Sequence, residues 1–220
     1  RHDRHERPTV REALWHPFLA SFVWQDHYSQ EIVQQAHEVL RTFPDACRAF
    51  AAQPVLKRAV LLVCSHIVAY AFKETWPQRM AFLIIDRNSS GELSVDSLEN
   101  HYLQEGGPVP DDLEKAISGV DVNGDGYITY VEFLSATLPS SVRCNPQLCR
   151  RVFDIIDRDQ DGHIDAADLA AAFRQGKGDD DICQAALAEV CGPKKWLAWE
   201  DFRSLLMDDG RSRQCSSESM

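Results

Sequence analysis

The residues with the clearest chemistry are carboxylates and amides set two apart around a glycine. The segment Asp121-Val122-Asn123-Gly124-Asp125-Gly126-Tyr127-Ile128-Thr129-Tyr130-Val131-Glu132 carries side-chain oxygens at its first, third and fifth positions and a Glu at its last. A shell of roughly six to eight oxygens converging on one point is what a hard divalent cation such as Ca2+ requires. Asp121, Asn123 and Asp125 supply side-chain oxygens, Tyr127 a backbone carbonyl, and Glu132 closes the shell with two oxygens. Gly126 stands where the chain must turn with φ > 0, a conformation open to glycine without a steric penalty. Ile128 is an aliphatic residue suited to a short strand, and Thr129 is placed to hold a water.

The same arithmetic recurs twice. Asp157, Asp159, Asp161, the carbonyl of His163 and Asp168 form a second set, with Gly162 at the turn and Ile164 after it. Asp168 is one methylene shorter than Glu and tends to give one oxygen, and six ligands suit Mg2+ better than Ca2+. This loop is therefore expected to bind Ca2+ more weakly, with Mg2+ competing. A third segment, Asp86 to Ser97, keeps Asp86, Asn88, Ser90, Gly91 and Leu93 but ends in a hydroxyl. Ser97 cannot replace a bidentate carboxylate, so this loop is expected to keep its shape and bind nothing.

Asp86, Asp121 and Asp157 begin their loops at intervals of 35 and 36 residues, the signature of a repeated unit. Loop pattern and period together are those of EF-hands, helix–loop–helix units that work in pairs. A fourth loop, Val190 to Asp201, completes the second pair, with Leu197 at the strand position. Its first residue is Val190 and Lys194 stands where an acid belongs, so no ion is expected there. Leu93 is expected to pair with Ile128, and Leu197 with Ile164. The fold class that follows is all-α: two EF-hand pairs, four helix–loop–helix units with two degenerate loops, preceded by long junction helices.

Elements that precede the loops read less sharply. Ile32, Val33, Ala36, Val39 and Leu40 recur at three and four residues, a helical period, with Pro44 and Pro54 expected to break the stretch. Val55 to Phe72 is apolar on nearly every face and demands partners on more than one side. Its longest apolar run, Ala59 to Phe72, is interrupted by Ser65 and His66 and falls short of the about 20 residues of a membrane span. The domains expected are 1–27, 28–75 for the junction helices, 76–140 and 141–209 for the two pairs, and a disordered tail over 210–220.

Charge separates the same regions. Residues 1–80 hold 10 Lys/Arg against 8 Asp/Glu, and residues 81–220 hold 13 against 26, within a net charge of −11 over 220 residues. An acidic half argues against nucleic acid as a partner and for cations or basic helices. Seven scattered cysteines with no CxxC pair suit reduced thiols and a cytoplasmic setting. His16 and His163 have no metal-binding neighbour at i+3 or i+4, so zinc is not expected.

Two further stretches carry a resemblance. Arg7-Pro8-Thr9-Val10-Arg11-Glu12-Ala13-Leu14-Trp15-His16-Pro17-Phe18 resembles the last helix of protein kinase C-lobes, R-x-T-x-x-E-A-L-x-H-P-[FW]. Phe50-Ala51-Ala52-Gln53-Pro54-Val55-Leu56-Lys57-Arg58-Ala59 resembles the junction F-x-x-x-x-x-L-K-[KR]-A of the calcium-dependent protein kinases of plants and apicomplexan parasites. In that family a kinase domain, a junction and four EF-hands follow in this order. The resemblance implies that residues 1–27 are the end of a kinase C-lobe and 28–75 an autoinhibitory junction, with Lys57 and Arg58 as pseudosubstrate-like residues. It implies an upstream, ATP-dependent Ser/Thr kinase domain as partner, released from inhibition when Ca2+ fills two sites. No Gly-rich loop, HRD or DFG motif of a kinase occurs in these residues, so phosphate transfer is not expected of them. The alternative is a free-standing EF-hand sensor or buffer without a catalytic parent. Freed from a kinase, the apolar junction is expected either to pack into its own EF-hands or to exchange with a second copy as a domain-swapped dimer. Three methionines suit an internal target better than the many targets of Met-rich grooves.

Overall fold

Leu40, Phe43, Cys47 and Phe50 recur at three and four residues, and the stretch that carries them folds as one helix, α1 (Gln30–Ala51), in the computed structural model. The structure describes residues 30–69, 72–173, 180–192 and 194–207. The kinase-like dozen at 7–18 and the expected tail at 210–220 lie outside the described residues.

Pro44 does not break α1; it sits buried in its interior. A proline has no N–H, so the carbonyl of Leu40 loses its helical partner. The hydroxyl of Tyr102 donates to that carbonyl at 3.0 Å. An unmet buried carbonyl would destabilise the helix by about 1–3 kcal/mol, and this contact supplies the donor that proline lacks. Pro54 does mark a boundary: it is the N-cap of α2 (Val55–Val68), with φ −51° and ψ 145°. Phe72 is extended rather than helical and precedes a 3-10 turn, Lys73–Thr75, so α2 is shorter than the apolar run.

The EF-hand units follow in order. Hand one is α3 (Trp76–Ile85), its loop and α4 (Val95–Gln104). Hand two is α5 (Leu113–Ser118), its loop and α6 (Tyr130–Thr137). After a short α7 (Ser140–Arg143), hand three is α8 (Pro146–Ile156), its loop and α9 (Ala166–Phe173). Hand four is α10 (Asp180–Cys191), its loop and α11 (Trp199–Met207). Two-residue strands join the loops in pairs. β1 (Glu92–Leu93) runs antiparallel to β2 (Ile128–Thr129) with Leu93 opposite Ile128. β3 (His163–Ile164) runs antiparallel to β4 (Leu197–Ala198) with Ile164 opposite Leu197. These are the two pairings expected, and all four aliphatic side chains are buried.

The junction helices are inside this assembly. α1 packs on α3, α5 and α6 of the first pair. Phe43 meets Phe133 at 4.6 Å between ring centroids, and Phe133 meets Phe82 at 5.6 Å. At the end of α1 the fit is close: a Cβ added to Gly119 would stand 2.6 Å from the Cβ of Ala51. Arg48 clasps Asp112 through Nε at 2.8 Å and a terminal nitrogen at 2.5 Å. α2 lies between the pairs, against α6 on one side and α8, α10 and α11 on the other. That accounts for its all-round apolarity. Its first N–H, from Val55, is accepted by Glu189 of α10 at 3.2 Å. Among the described residues no single helix is long and apolar enough to cross a membrane.

Candidate metal centres

Each loop is shaped by backbone geometry that repeats. The sixth residue has positive φ in all three Asp-led loops: Gly91 (80°), Gly126 (83°) and Gly162 (87°). The fourth residue has it too: Ser89 (56°), Gly124 (72°) and Gln160 (61°). This second left-handed position was not expected, because Ser and Gln give no sign of it in sequence. With both turns in place, backbone N–H groups point inward at the first carboxylate. Gly126 N donates to Asp121 at 2.8 Å, Gly91 N to Asp86 at 2.8 Å, and Gly162 N to Asp157 at 3.1 Å.

The closing residue of each loop is also the third residue of the exit helix. Thr129 caps α6 and Glu132 answers it, with Thr129 N and Oγ1 donating to Glu132 Oε2 at 2.9 and 2.7 Å. Glu132 Oε1 accepts from Val122 N at 3.0 Å, so one buried carboxylate holds both ends of its loop. Asp168 does the same in the third hand. Its two oxygens accept from Arg158 N at 3.0 Å and Asp165 N at 3.1 Å. Such reciprocal capping explains why the exit helices begin where they do.

The Asp157 loop fits a divalent cation. The carboxylates of Asp157, Asp159 and Asp161 gather with oxygens within 4.8 Å of one another. Asp157 Oδ1 is buried and has no hydrogen-bond donor. Leaving an anionic oxygen dry and unmatched is unfavourable, and a hard cation is the natural match. The Asp159 carboxyl is held above its ordinary value. The Asp161 N–H lowers it, but some loss of hydration and the charges of Asp161, Asp168 and Asp157 together outweigh that bond. His163, which contributes a carbonyl by position, stacks its ring edge-on with Trp196 of the fourth loop at 4.2 Å.

The Asp121 loop has the fuller ligand set. Asn123 donates its amide to Asp125 at 2.8 Å, and Asp125 in turn accepts from Tyr127 N at 2.9 Å. Asp121 accepts from both Gly124 and Gly126. The oxygens of Asp121, Asn123, Asp125, Tyr127 and Glu132 stand in one loop, with Glu132 buried beneath it.

The other two loops satisfy themselves. In the Asp86 loop the Ser90 hydroxyl lies 3.0 Å from Asp86 and 2.8 Å from the carbonyl of Glu92, two of the oxygens an ion would take. Ser97 bonds to Ser94 through its own hydroxyl and N–H. In the fourth loop Lys194 reaches Asp201 at 3.3 Å, an ammonium set against the closing carboxylate. Gly192 has φ 62° two residues into that loop, a different turn from the others. Lys57, expected with Arg58 as a pseudosubstrate-like residue, is 2% exposed on α2, and Arg58 is half-buried beside it.

Family models match in two places: an EF-hand domain pair over residues 78–138 and an EF-hand domain over 148–179. Calcium-dependent protein kinase 9 of Oryza sativa subsp. japonica is 25% identical over 221 residues, covering 98% of this chain and 36% of that protein. Calcium-dependent protein kinase 4 of Plasmodium berghei (strain Anka) is 25% identical over 214 residues, covering 91% and 39%. Calcium-dependent protein kinase 7 of Arabidopsis thaliana is 25% identical over 171 residues, covering 74% and 31%. The chain thus spans about a third of the length of the curated relatives it matches. These matches and the paired loops show a calcium-binding EF-hand region, similar to part of the calcium-dependent protein kinases.

Proposed function

We propose that this chain is the calcium-sensing part of a Ser/Thr kinase, relieving autoinhibition of a kinase domain upstream of it in the cytoplasm. The observation that carries the reading is where the junction lies. α2 sits among helices of both EF-hand pairs with Lys57 buried, so its basic residue is withheld from any other surface in this arrangement. α1 is held by the first pair through Phe43, Arg48 and Tyr102. A module that hides its junction this way can free a substrate site that the same junction would otherwise cover.

Two sites serve the switch. Asp121, Asn123, Asp125, Tyr127 and Glu132 would hold one ion, and Asp157, Asp159, Asp161, His163 and Asp168 the other. A bound Ca2+ would supply positive charge to carboxylates that otherwise repel one another. Glu132 and Asp168 each belong to the first turn of an exit helix, so any movement of these carboxylates turns α6 or α9 with them. α6 touches both α1 and α2, which links the second loop to the junction directly.

Isothermal titration with Ca2+, with and without Mg2+, tests the ion sites; two sites are expected, with Mg2+ weakening uptake at the Asp157 loop. Hydrogen exchange of α1 and α2 in Ca2+ and in EDTA tests the switch. Changed protection of both helices is expected. Ca2+ uptake with no change in helix exposure would leave a buffer instead of a sensor.

A further inference from the structure

We propose that the groove of the first EF-hand pair is built for a proline-bearing helix, and that Tyr102 is the residue that reads Pro44. The proposal rests on the reading of this pair as a module that grips the junction, with α1 as its target. Pro44 leaves the Leu40 carbonyl without a donor in its own helix. Tyr102, which lies 62 residues away on α4, donates to that carbonyl. Tyr102 is 9% exposed and Leu40 1%, so water is a poor substitute for either partner.

The match is two-sided. A helix without proline brings its own N–H to the equivalent carbonyl, and the phenol is then only a second donor to an acceptor already satisfied. The buried hydroxyl therefore favours a helix with proline at this level over an ordinary amphipathic one. Arg48 lies one helical turn beyond Pro44, and its paired bonds to Asp112 fix the register. Sliding α1 along its axis by one residue would lose both contacts together. The partner this surface fits is an internal helix carrying Leu, Pro and Arg at four-residue steps, which is how Leu40, Pro44 and Arg48 stand in α1.

A double-mutant cycle in the whole chain tests this, using Tyr102→Phe, Pro44→Ala and their combination, read by amide hydrogen exchange of α1. Tyr102→Phe should speed exchange about tenfold in the native background, and about twofold or less beside Pro44→Ala. Equal factors in both backgrounds, or no effect in the native one, would overturn the proposal. A second readout leaves Tyr102 intact: its hydroxyl proton should exchange slowly in the native chain and several-fold faster in Pro44→Ala. An unchanged rate there counts against the proposal. Repeating the cycle in Ca2+ and in EDTA keeps two failures apart. Protection of α1 that ignores Ca2+ in every variant sinks the gripping reading, whereas an additive cycle sinks only the role of Tyr102.

Discussion

Two carboxylates do double duty, and their substitution should show it. Glu132 is both an ion ligand by position and the capping partner of Thr129, so Glu132→Gln keeps the cap's shape while removing a charged oxygen. Calorimetry should then find one Ca2+ site fewer, with helix content by circular dichroism unchanged. Asp168→Glu restores the missing methylene and should favour Ca2+ over Mg2+ at that loop by on the order of tenfold. Asp112 gives a pH prediction. The hydrogen bond from Arg48 holds its carboxyl below the ordinary value. A depressed carboxyl contributes stability above its unfolded value of about 3.9, and loses it as pH falls through the lowered value. Acid titration should therefore loosen α1 below about pH 4, and Asp112→Asn should remove that part of the acid response. Exchange rates of α1 amides across this range measure both.

At the level of elements, Gly119 sets how closely α1 approaches α5. Gly119→Ala puts a methyl 2.6 Å from the Cβ of Ala51, so one helix must retreat. A loss of about 1–3 kcal/mol is expected, visible as a lower urea midpoint at unchanged slope. Much of this level was legible in sequence, because ion loops obey positional chemistry. Asp121, Gly126, Ile128 and Glu132 can be placed without a structure, and so can the opposition of Leu93 with Ile128 and of Ile164 with Leu197. Pro44 was not legible, because the residue that rescues it is remote in the chain. Local rules end a helix at proline, and only the fold brings Tyr102 to the vacant carbonyl. The burial of Lys57 was not legible either, because the helices of both pairs that surround α2 are remote in the chain.

The whole molecule is organised around α2, which touches the first pair through α6 and the second through α8, α10 and α11. With both junction helices seated in their own chain, analytical ultracentrifugation should find a monomer, and a swapped dimer would show instead as a mass that doubles with concentration. Within each pair one loop has ligands for a metal and the other is closed by its own atoms: Ser90 on Asp86 in the first, Lys194 on Asp201 in the second. If those two loops hold no ion, chelation should strip only one leaf of each strand ladder and leave the other folded as a template. With one ion expected in each pair, two ions would not meet across one ladder, and neither pair would display cooperativity by itself. A Hill coefficient above one in a calcium titration would have to be carried between the pairs, and α2 is the element placed to carry it.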